Sequence, residues 1–146
     1  YRSYRGEPAM TLEGTSYGGN IIEEFSVESY IENNKLNTQK ILWDLSNEYV
    51  NKKSSQDIAY TVLHELGRGL GIIGLNLCRQ FDVKKIGCTG GVAINKIFIQ
   101  GFLNAVNNAK DSHVIALQHQ NVAPGDAGIS VGQLGIASAI LKQQKK

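Results

Sequence analysis

The ten residues 86–95, IGCTGGVAIN, decide the fold because they join a predicted strand to a predicted helix through two adjacent glycines. Glycine lacks a Cβ atom, so it permits the tight turn that such a junction needs. The strand is predicted over 83–89 and the helix over 93–108, where apolar side chains recur at helical spacing. A strand over 113–117 and a last helix over 127–142 follow. This alternation predicts an α/β layer with a parallel pair of strands.

A long helix is predicted before this stretch, because Ser54 and Ser55 are good capping residues and Asp57 suits the positive end of a helix. Its apolar and small positions recur at steps of three and four residues: Ile58, Val62, Leu66, Gly69, Ile73 and Leu77. Its glycines, which lower helix propensity, are Gly67, Gly69, Gly71 and Gly74. We therefore expect another backbone, in a sheet or a partner helix, to pack very close to it.

Two further elements are predicted nearer the amino terminus. A turn over 18–20 precedes the mixed stretch 21–27, which is typical of a strand pair with one solvent-facing side. A helix is predicted over 36–50, ending at residues 51–53. The residues expected on one face of that helix are Ile41, Leu42, Leu45 and Tyr49.

Composition excludes several classes of protein. The 146 residues suffice for one domain. A net charge of +2 does not indicate the strongly basic surface that binds nucleic acid or anionic lipid. No apolar run reaches the ~18–20 residues that a membrane helix needs. With only Cys78 and Cys88, the chain fits a reducing compartment, so a cytoplasmic location is expected. The only methionine is Met10, so we expect Tyr1 to belong to a longer parent chain.

Residues 62–68, VLHELGR, come close to the zinc-peptidase pattern H-E-x-x-H. That pattern places two histidines one helical turn apart, so that both hold the metal from one side. Here Arg68 takes the second position, and its permanent positive charge leaves no lone pair for a metal. We therefore expect His64 to be a packed or capping residue on a buried helix.

Two strand-to-helix corners carry the candidate binding residues. At Gly90 and Gly91 a phosphate can approach open backbone N–H groups and the positive helix end. Asn95 is expected in the first turn of that helix, where its amide can bind a sugar or phosphate; a plain tight turn is the alternative. At the second corner Asp126 is either a helix cap or an oxygen ligand for a divalent cation. Corners that follow neighbouring parallel strands face one crevice.

Three stretches together resemble one family: 4–13 (YRGEPAMTLE), 90–95 (GGVAIN) and 124–133 (PGDAGISVGQ). In this order they are similar to the carboxyl-terminal part of the HypF family of hydrogenase-maturation carbamoyltransferases, and the similarity runs from end to end. His64 also fits, since the family carries a histidine on the helix before its Gly-Gly-Val turn. The resemblance implies one ribonuclease H-like lobe of the actin/sugar kinase/heat-shock ATPase-like fold, a mixed sheet flanked by helices, with residues 1–146 as a single carboxyl-terminal lobe.

The resemblance also implies a nucleotide cleft. It assigns ATP, in the form of carbamoyl-adenylate, to Gly6, Gly90, Gly91 and Asn95, and a divalent metal ion beside the phosphates to Asp126. The implied reaction transfers the carbamoyl group to the terminal cysteine of a HypE-like acceptor, where it later becomes a cyanide ligand of the [NiFe] centre. The implied partners are this acceptor and the missing amino-terminal lobe. The isolated lobe is therefore expected to be inactive and to form homodimers through its exposed inter-lobe face.

The first stretch departs from the family pattern Tyr-Glu-Gly-x-Ala-Ala, because Arg5 and Pro8 stand in two of its positions. Three alternatives stay open. They are a tRNA threonylcarbamoyltransferase-like enzyme of the same fold, a carbamoyltransferase acting on a small-molecule hydroxyl, and a non-catalytic interaction module. The mild charge argues against an RNA substrate.

Overall fold

A computed structural model describes residues 3–49, 52–109 and 113–144 of the chain. Helices and strands alternate in its second half, which confirms the predicted α/β class. The helices are α1 (Glu7–Thr15), α2 (Thr38–Asp44), α3 (Ser55–Gln80), α4 (Lys96–Asn107) and α5 (Ala127–Gln144). The strands are β1 (Ile31–Glu32), β2 (Lys35–Leu36), β3 (Lys85–Gly87) and β4 (Ile115–Leu117). Short 3-10 helices span Val27–Tyr30 and Gly91–Ile94, and a π-helical turn spans Leu45–Tyr49.

The strands β3 and β4 form the predicted parallel pair, with Gly87 opposite Leu117. Because β1 and β2 form a separate antiparallel hairpin, the described strands make two small sheets instead of the one mixed sheet expected. α4 connects β3 to β4, and one face of this pair packs on a core that α3 and α4 share. The buried residues of that core are Leu75, Phe102 and Val106. None of the described helices is both long and apolar enough to cross a membrane.

The long helix α3 begins after its predicted cap, Ser54, and packs against α4. Gly67 and Gly101 are placed where the two helices cross. A Cβ atom on Gly67 would lie 1.9 Å from the carbonyl oxygen of Phe98, and one on Gly101 would lie 2.0 Å from the carbonyl oxygen of His64. Neither position has room for a side chain, so the two backbones touch. This confirms the close partner backbone that the glycines predict.

The predicted strand pair over 21–27 is wrong. This segment is a loop whose backbone is held by side chains of α3: the Ile22 N–H donates to Thr61 Oγ1 at 2.9 Å, and the Val27 N–H donates to Glu65 Oε2 at 3.2 Å. Since α3 accepts these hydrogen bonds, no neighbouring strand is required. The apolar side chains of the loop still point inward. With two residues from the following helix they form a second core: Ile22, Phe25, Val27, Ile41 and Leu45.

The helix predicted over 36–50 is shorter in the structure, and it changes from α-helical to π-helical geometry near its end. α2 begins after Asn37, whose side chain accepts a hydrogen bond from the Lys40 N–H, and it continues into the π-helical turn. Ile41 and Leu45 are buried as predicted, but Leu42 is 64% exposed. Adjacent helical residues point about 100° apart, so Leu42 cannot share the buried side with Ile41. The predicted end at 51–53 lies partly outside the described residues.

We expect Gly67→Ala to destabilise the fold, because its methyl group would collide with the Phe98 carbonyl oxygen. Overpacking costs about 1–3 kcal/mol or more. This cost is larger than the ~1 kcal/mol by which alanine's higher helix propensity would stabilise the helix relative to glycine. Urea unfolding followed by circular dichroism measures the difference. Gly14→Ala is the matched control, since nothing lies within 4 Å of a Cβ atom there, and it should not lower stability. Equal stability of the two variants would contradict the close crossing.

Candidate functional site

The two predicted corners meet at the carboxyl ends of β3 and β4. The Gly90 N–H donates a hydrogen bond to the carbonyl oxygen of Pro124 at 2.8 Å, and the Thr89 hydroxyl donates to the same oxygen at 3.1 Å. A Cβ atom on Gly125 would lie 3.0 Å from Ile94 Cδ1. The loops after two neighbouring parallel strands therefore form one continuous surface, as their topology predicts.

A pocket of about 250 Å³ opens beside this contact. Its lining is mainly apolar with a few polar groups, which is the usual composition of small-molecule sites. Six of its lining residues are Cys88, Ile94, Phe102, Leu117, His119 and Pro124. Burial raises the pKa of the Cys88 thiol, so this thiol stays protonated at neutral pH and is a poor nucleophile. The pocket therefore suits binding better than covalent chemistry.

The glycine pair leaves open space where a ligand would approach. Gly90 has a φ of +100°, a conformation that favours glycine, and nothing lies within 4 Å of a Cβ atom built on Gly90 or Gly91. Gly91 opens the 3-10 helix, and the first N–H groups of a helix have no acceptor within it. The backbone at this corner thus fits the approach of a phosphate group.

Asn95 is the cap of α4 and does not lie in its first turn, because α4 begins at Lys96, three residues later than predicted. Its Oδ1 accepts a hydrogen bond from the Phe98 N–H at 2.9 Å, and the residue is buried. This capping bond leaves only the amide nitrogen of the side chain to donate to a ligand.

Asp126 precedes α5 and is exposed. Among the described residues, no hydrogen bond holds its carboxylate, and no group of three His, Cys, Asp or Glu side chains could enclose a metal ion. The donor set that the chain offers there is a single hard oxygen ligand, which fits one position of a divalent cation's coordination shell.

Gly6 is the cap residue of α1, and its hydrogen bond connects it to α1 and not to either corner. Its carbonyl oxygen accepts from the Met10 N–H at 3.1 Å, and its nearest side-chain neighbour is Tyr4. The described contacts thus bring Gly90 together with the loop before Asp126, but they do not connect Gly6 to that site.

His119 and Gln118 line the pocket but were not predicted as site residues. His119 Nδ1 lies 3.1 Å from the carbonyl oxygen of Val122, inside the loop that leads to Asp126. A signal for them was present in the sequence, since the polar run 118–120 follows directly after the predicted strand over 113–117.

The zinc-peptidase-like segment is part of a buried network. His64 Nδ1 lies 3.0 Å from Glu65 Oε1, and His64 Nε2 lies 3.3 Å from the Asn104 side-chain nitrogen. A neutral imidazole that carries its proton on Nδ1 satisfies both contacts, because it donates to the carboxylate and accepts from the amide. His64 is therefore a packed residue between α3 and α4, as predicted.

Arg68 supplies the positive charge of this network. Its Nε atom lies 2.9 Å from Glu65 Oε1, and its two terminal nitrogens bind Glu28. These hydrogen bonds lower the pKa of Glu28 to about 2. Burial acts to raise the pKa of Glu65, but the hydrogen bond from His64 and the charge of Arg68 together hold that pKa below its ordinary value. The network links the 3-10 helix at Glu28 to α3.

We expect stability to fall in acid because of this network. Both carboxylates have lower pKa values when folded, so their contribution is complete above pH 4.5 and is lost in acid, that of Glu28 as the pH falls towards about 2. Arg68→Met should lower the free energy of unfolding at pH 7 by about 3 kcal/mol, because it leaves a buried carboxylate without its cation. This difference should shrink below pH 4.5 in urea titrations.

The control for this titration is Lys53→Met, which breaks the exposed ion pair between Lys53 and Glu24. It should change stability little at any pH, because water screens exposed pairs. An Arg68→Met difference that stays constant from pH 7 to pH 3 would contradict the assigned network.

Comparisons with known proteins agree on one family. Residues 1–133 match the family model described as "Carbamoyltransferase, Kae1-like Domain, second subdomain". The chain is 34% identical over 138 residues to the probable carbamoyltransferase HypF of Methanocaldococcus jannaschii, covering 93% of this chain and 17% of that protein. It is also similar to the crystal structure of T. kodakarensis HypF, with a TM-score of 0.75 and 27% identity over 97% of this chain and 18% of that one. The chain thus spans about a sixth of the length of these relatives.

Proposed function

The chain belongs to the HypF carbamoyltransferase family, as a second Kae1-like subdomain, and from this premise we propose that it forms the nucleotide-binding half of a carbamoyl-transfer site. The observation that carries the proposal is the contact between Gly90 and Pro124, which joins the two family motifs into one surface beside an apolar pocket. The fold of the match is consistent with the predicted actin/sugar kinase/heat-shock ATPase-like class.

The nucleotide would lie along the glycine corner. Open space at Gly90 and Gly91 receives the phosphate, because no Cβ atom blocks the approach there. The Gly90 N–H already donates to Pro124, so the phosphate would accept from the first N–H groups of the 3-10 helix that begins at Gly91. The Asn95 side-chain nitrogen donates to the nucleotide while its oxygen caps α4, so one side chain contacts both the nucleotide and the start of the helix. Gly6 is retained as a nucleotide contact on the resemblance alone.

Asp126 would hold the divalent metal ion beside the phosphates. Its exposed carboxylate supplies one hard oxygen ligand, and phosphate oxygens and water complete the shell of such an ion. When bound, carbamoyl-adenylate supplies a carbamoyl group that is already activated. The task of this chain is then to position that group and to stabilise charge on its phosphate.

The acceptor belongs to the same proposal. Family membership supports transfer to the terminal cysteine of a HypE-like protein, with the remaining Kae1-like subdomain closing the other side of the cleft. Since the chain is only a sixth of its relatives' length, transfer is a property proposed for the longer protein. For the isolated 146-residue chain we propose nucleotide binding without turnover.

We expect ATP with Mg²⁺ to bind the chain and Gly91→Val to abolish binding. The valine side chain enters open space, so the fold is unaffected, but it occupies the place of the phosphate. Isothermal titration calorimetry and thermal unfolding measure the effect, since ligand at about 100 times its Kd stabilises by about 2.7 kcal/mol. Gly14→Val is the matched control at another open glycine and should bind like the unmodified chain. If the Gly91→Val variant still binds ATP, the assignment of the phosphate to this corner is wrong.

We expect Asp126→Asn to reduce the dependence of ATP binding on Mg²⁺ while leaving the fold intact. The amide keeps the size of the side chain but loses the charge that attracts the ion. Calorimetric titrations with and without Mg²⁺ separate this effect from loss of the nucleotide. Asp82→Asn is the control, because its carboxylate is also exposed and binds Lys84 instead. If both variants respond to Mg²⁺ as the unmodified chain does, Asp126 is not the metal ligand.

A further inference from the structure

The cavity beside the glycine corner is lined without a permanent charge. None of its described lining residues is an aspartate, glutamate, lysine or arginine, and the lining includes the buried ring of Phe102. At about 250 Å³ the cavity is smaller than the ~300–1,000 Å³ of pockets that enclose drug-sized ligands. It therefore suits a small, uncharged part of a ligand whose charged part stays outside.

The side chains of Gln118 and His119 give this lining its hydrogen-bonding groups. His119 Nδ1 lies 3.1 Å from the Val122 carbonyl oxygen, which can only accept a hydrogen bond. The neutral ring therefore carries its proton on Nδ1, and its Nε2 is an acceptor. The Gln118 amide differs, because rotation presents either its oxygen or its nitrogen to a ligand. Of these two side chains, only His119 presents an acceptor that rotation cannot exchange for a donor.

We propose that the cavity takes the base of the nucleotide and that His119 selects adenine. The inference rests on the proposed function. Pro124 lines the cavity and also accepts the Gly90 hydrogen bond, so a phosphate at the glycine corner brings the base beside the cavity. Adenine carries a 6-amino group, which donates, whereas guanine carries an oxygen there, which accepts. The amino group pairs with His119 Nε2, but an oxygen would face that nitrogen with no proton between them.

Calorimetric titration with ATP and with inosine triphosphate tests this selection, because inosine carries an oxygen in place of the 6-amino group. With Mg²⁺ present, the unmodified chain should bind ATP about tenfold more tightly, which is near the low end for an unpaired polar group because His119 is exposed. His119→Asn should bring this ratio close to one. The asparagine amide can still donate to the Val122 carbonyl oxygen, but it places no acceptor where Nε2 was.

The matched control is His113→Asn, since His113 is also exposed but does not line this cavity. It should keep the tenfold ratio. Equal binding of ATP and inosine triphosphate by the unmodified chain would overturn the proposal. So would a His119→Asn variant that keeps the ratio, because a merely structural role of His119 weakens both nucleotides equally.

Inorganic triphosphate, which has no base, separates this inference from the proposed function. It should bind His119→Asn and the unmodified chain equally well, while Gly91→Val should abolish the binding of all three ligands. Triphosphate binding that falls in His119→Asn would show that His119 acts on the phosphate, and this would overturn its role in reading the base. If none of the three ligands binds the unmodified chain, the proposed function fails, and this inference fails with it.

Discussion

Contact between two helix backbones, at Gly67 and Gly101, is the constraint on which the rest of the structure depends. Without side chains between them, α3 and α4 approach closely and in one register. That register fixes where α4 lies against α3, and with it the position of Asn95 and the glycine corner at the start of α4. Because β3 precedes this corner and β4 follows α4, the same contact also sets where the two strands pair. The candidate site thus depends on a crossing whose two glycines do not themselves line the site.

Both halves of the molecule pack apolar side chains on α3, but only one of them is also held by hydrogen bonds to its polar side chains. On one side, polar side chains of α3 accept hydrogen bonds from a loop that has no sheet partner, through Thr61 and Glu65. A buried carboxylate is tolerated there because His64 and Arg68 satisfy it. On the other side, apolar packing with α4 and the strands dominates. The candidate site lies on this second side, where loops after the strands leave backbone and Asp126 accessible.

The predictions that failed share a cause. A mixed apolar and polar stretch at 21–27 looks like a strand, but its hydrogen-bond acceptors are side chains of α3, more than thirty residues away. Asn95 caps α4 instead of lying in its first turn because a capping residue and a first-turn residue have the same local pattern, and only the bond to Phe98 distinguishes them. His119 was not predicted because a polar residue after a strand is common in any loop, and only the folded structure shows that this one lines a pocket. The predictions for Ser54 and the glycines of α3 succeeded because they follow from local backbone requirements.

From the sequence alone come the α/β order of the second half, the start of α3, the close helix partner and the family. These follow from periodicity, capping and glycine spacing, which act within a few residues of chain. Only the tertiary structure decided that Gly90 meets Pro124, and that Glu65 beside His64 forms an ion-pair network with Arg68. It also decided that α5 has no packed partner among the described residues. Each of these depends on contacts between residues far apart in the chain, whose geometry no local pattern specifies.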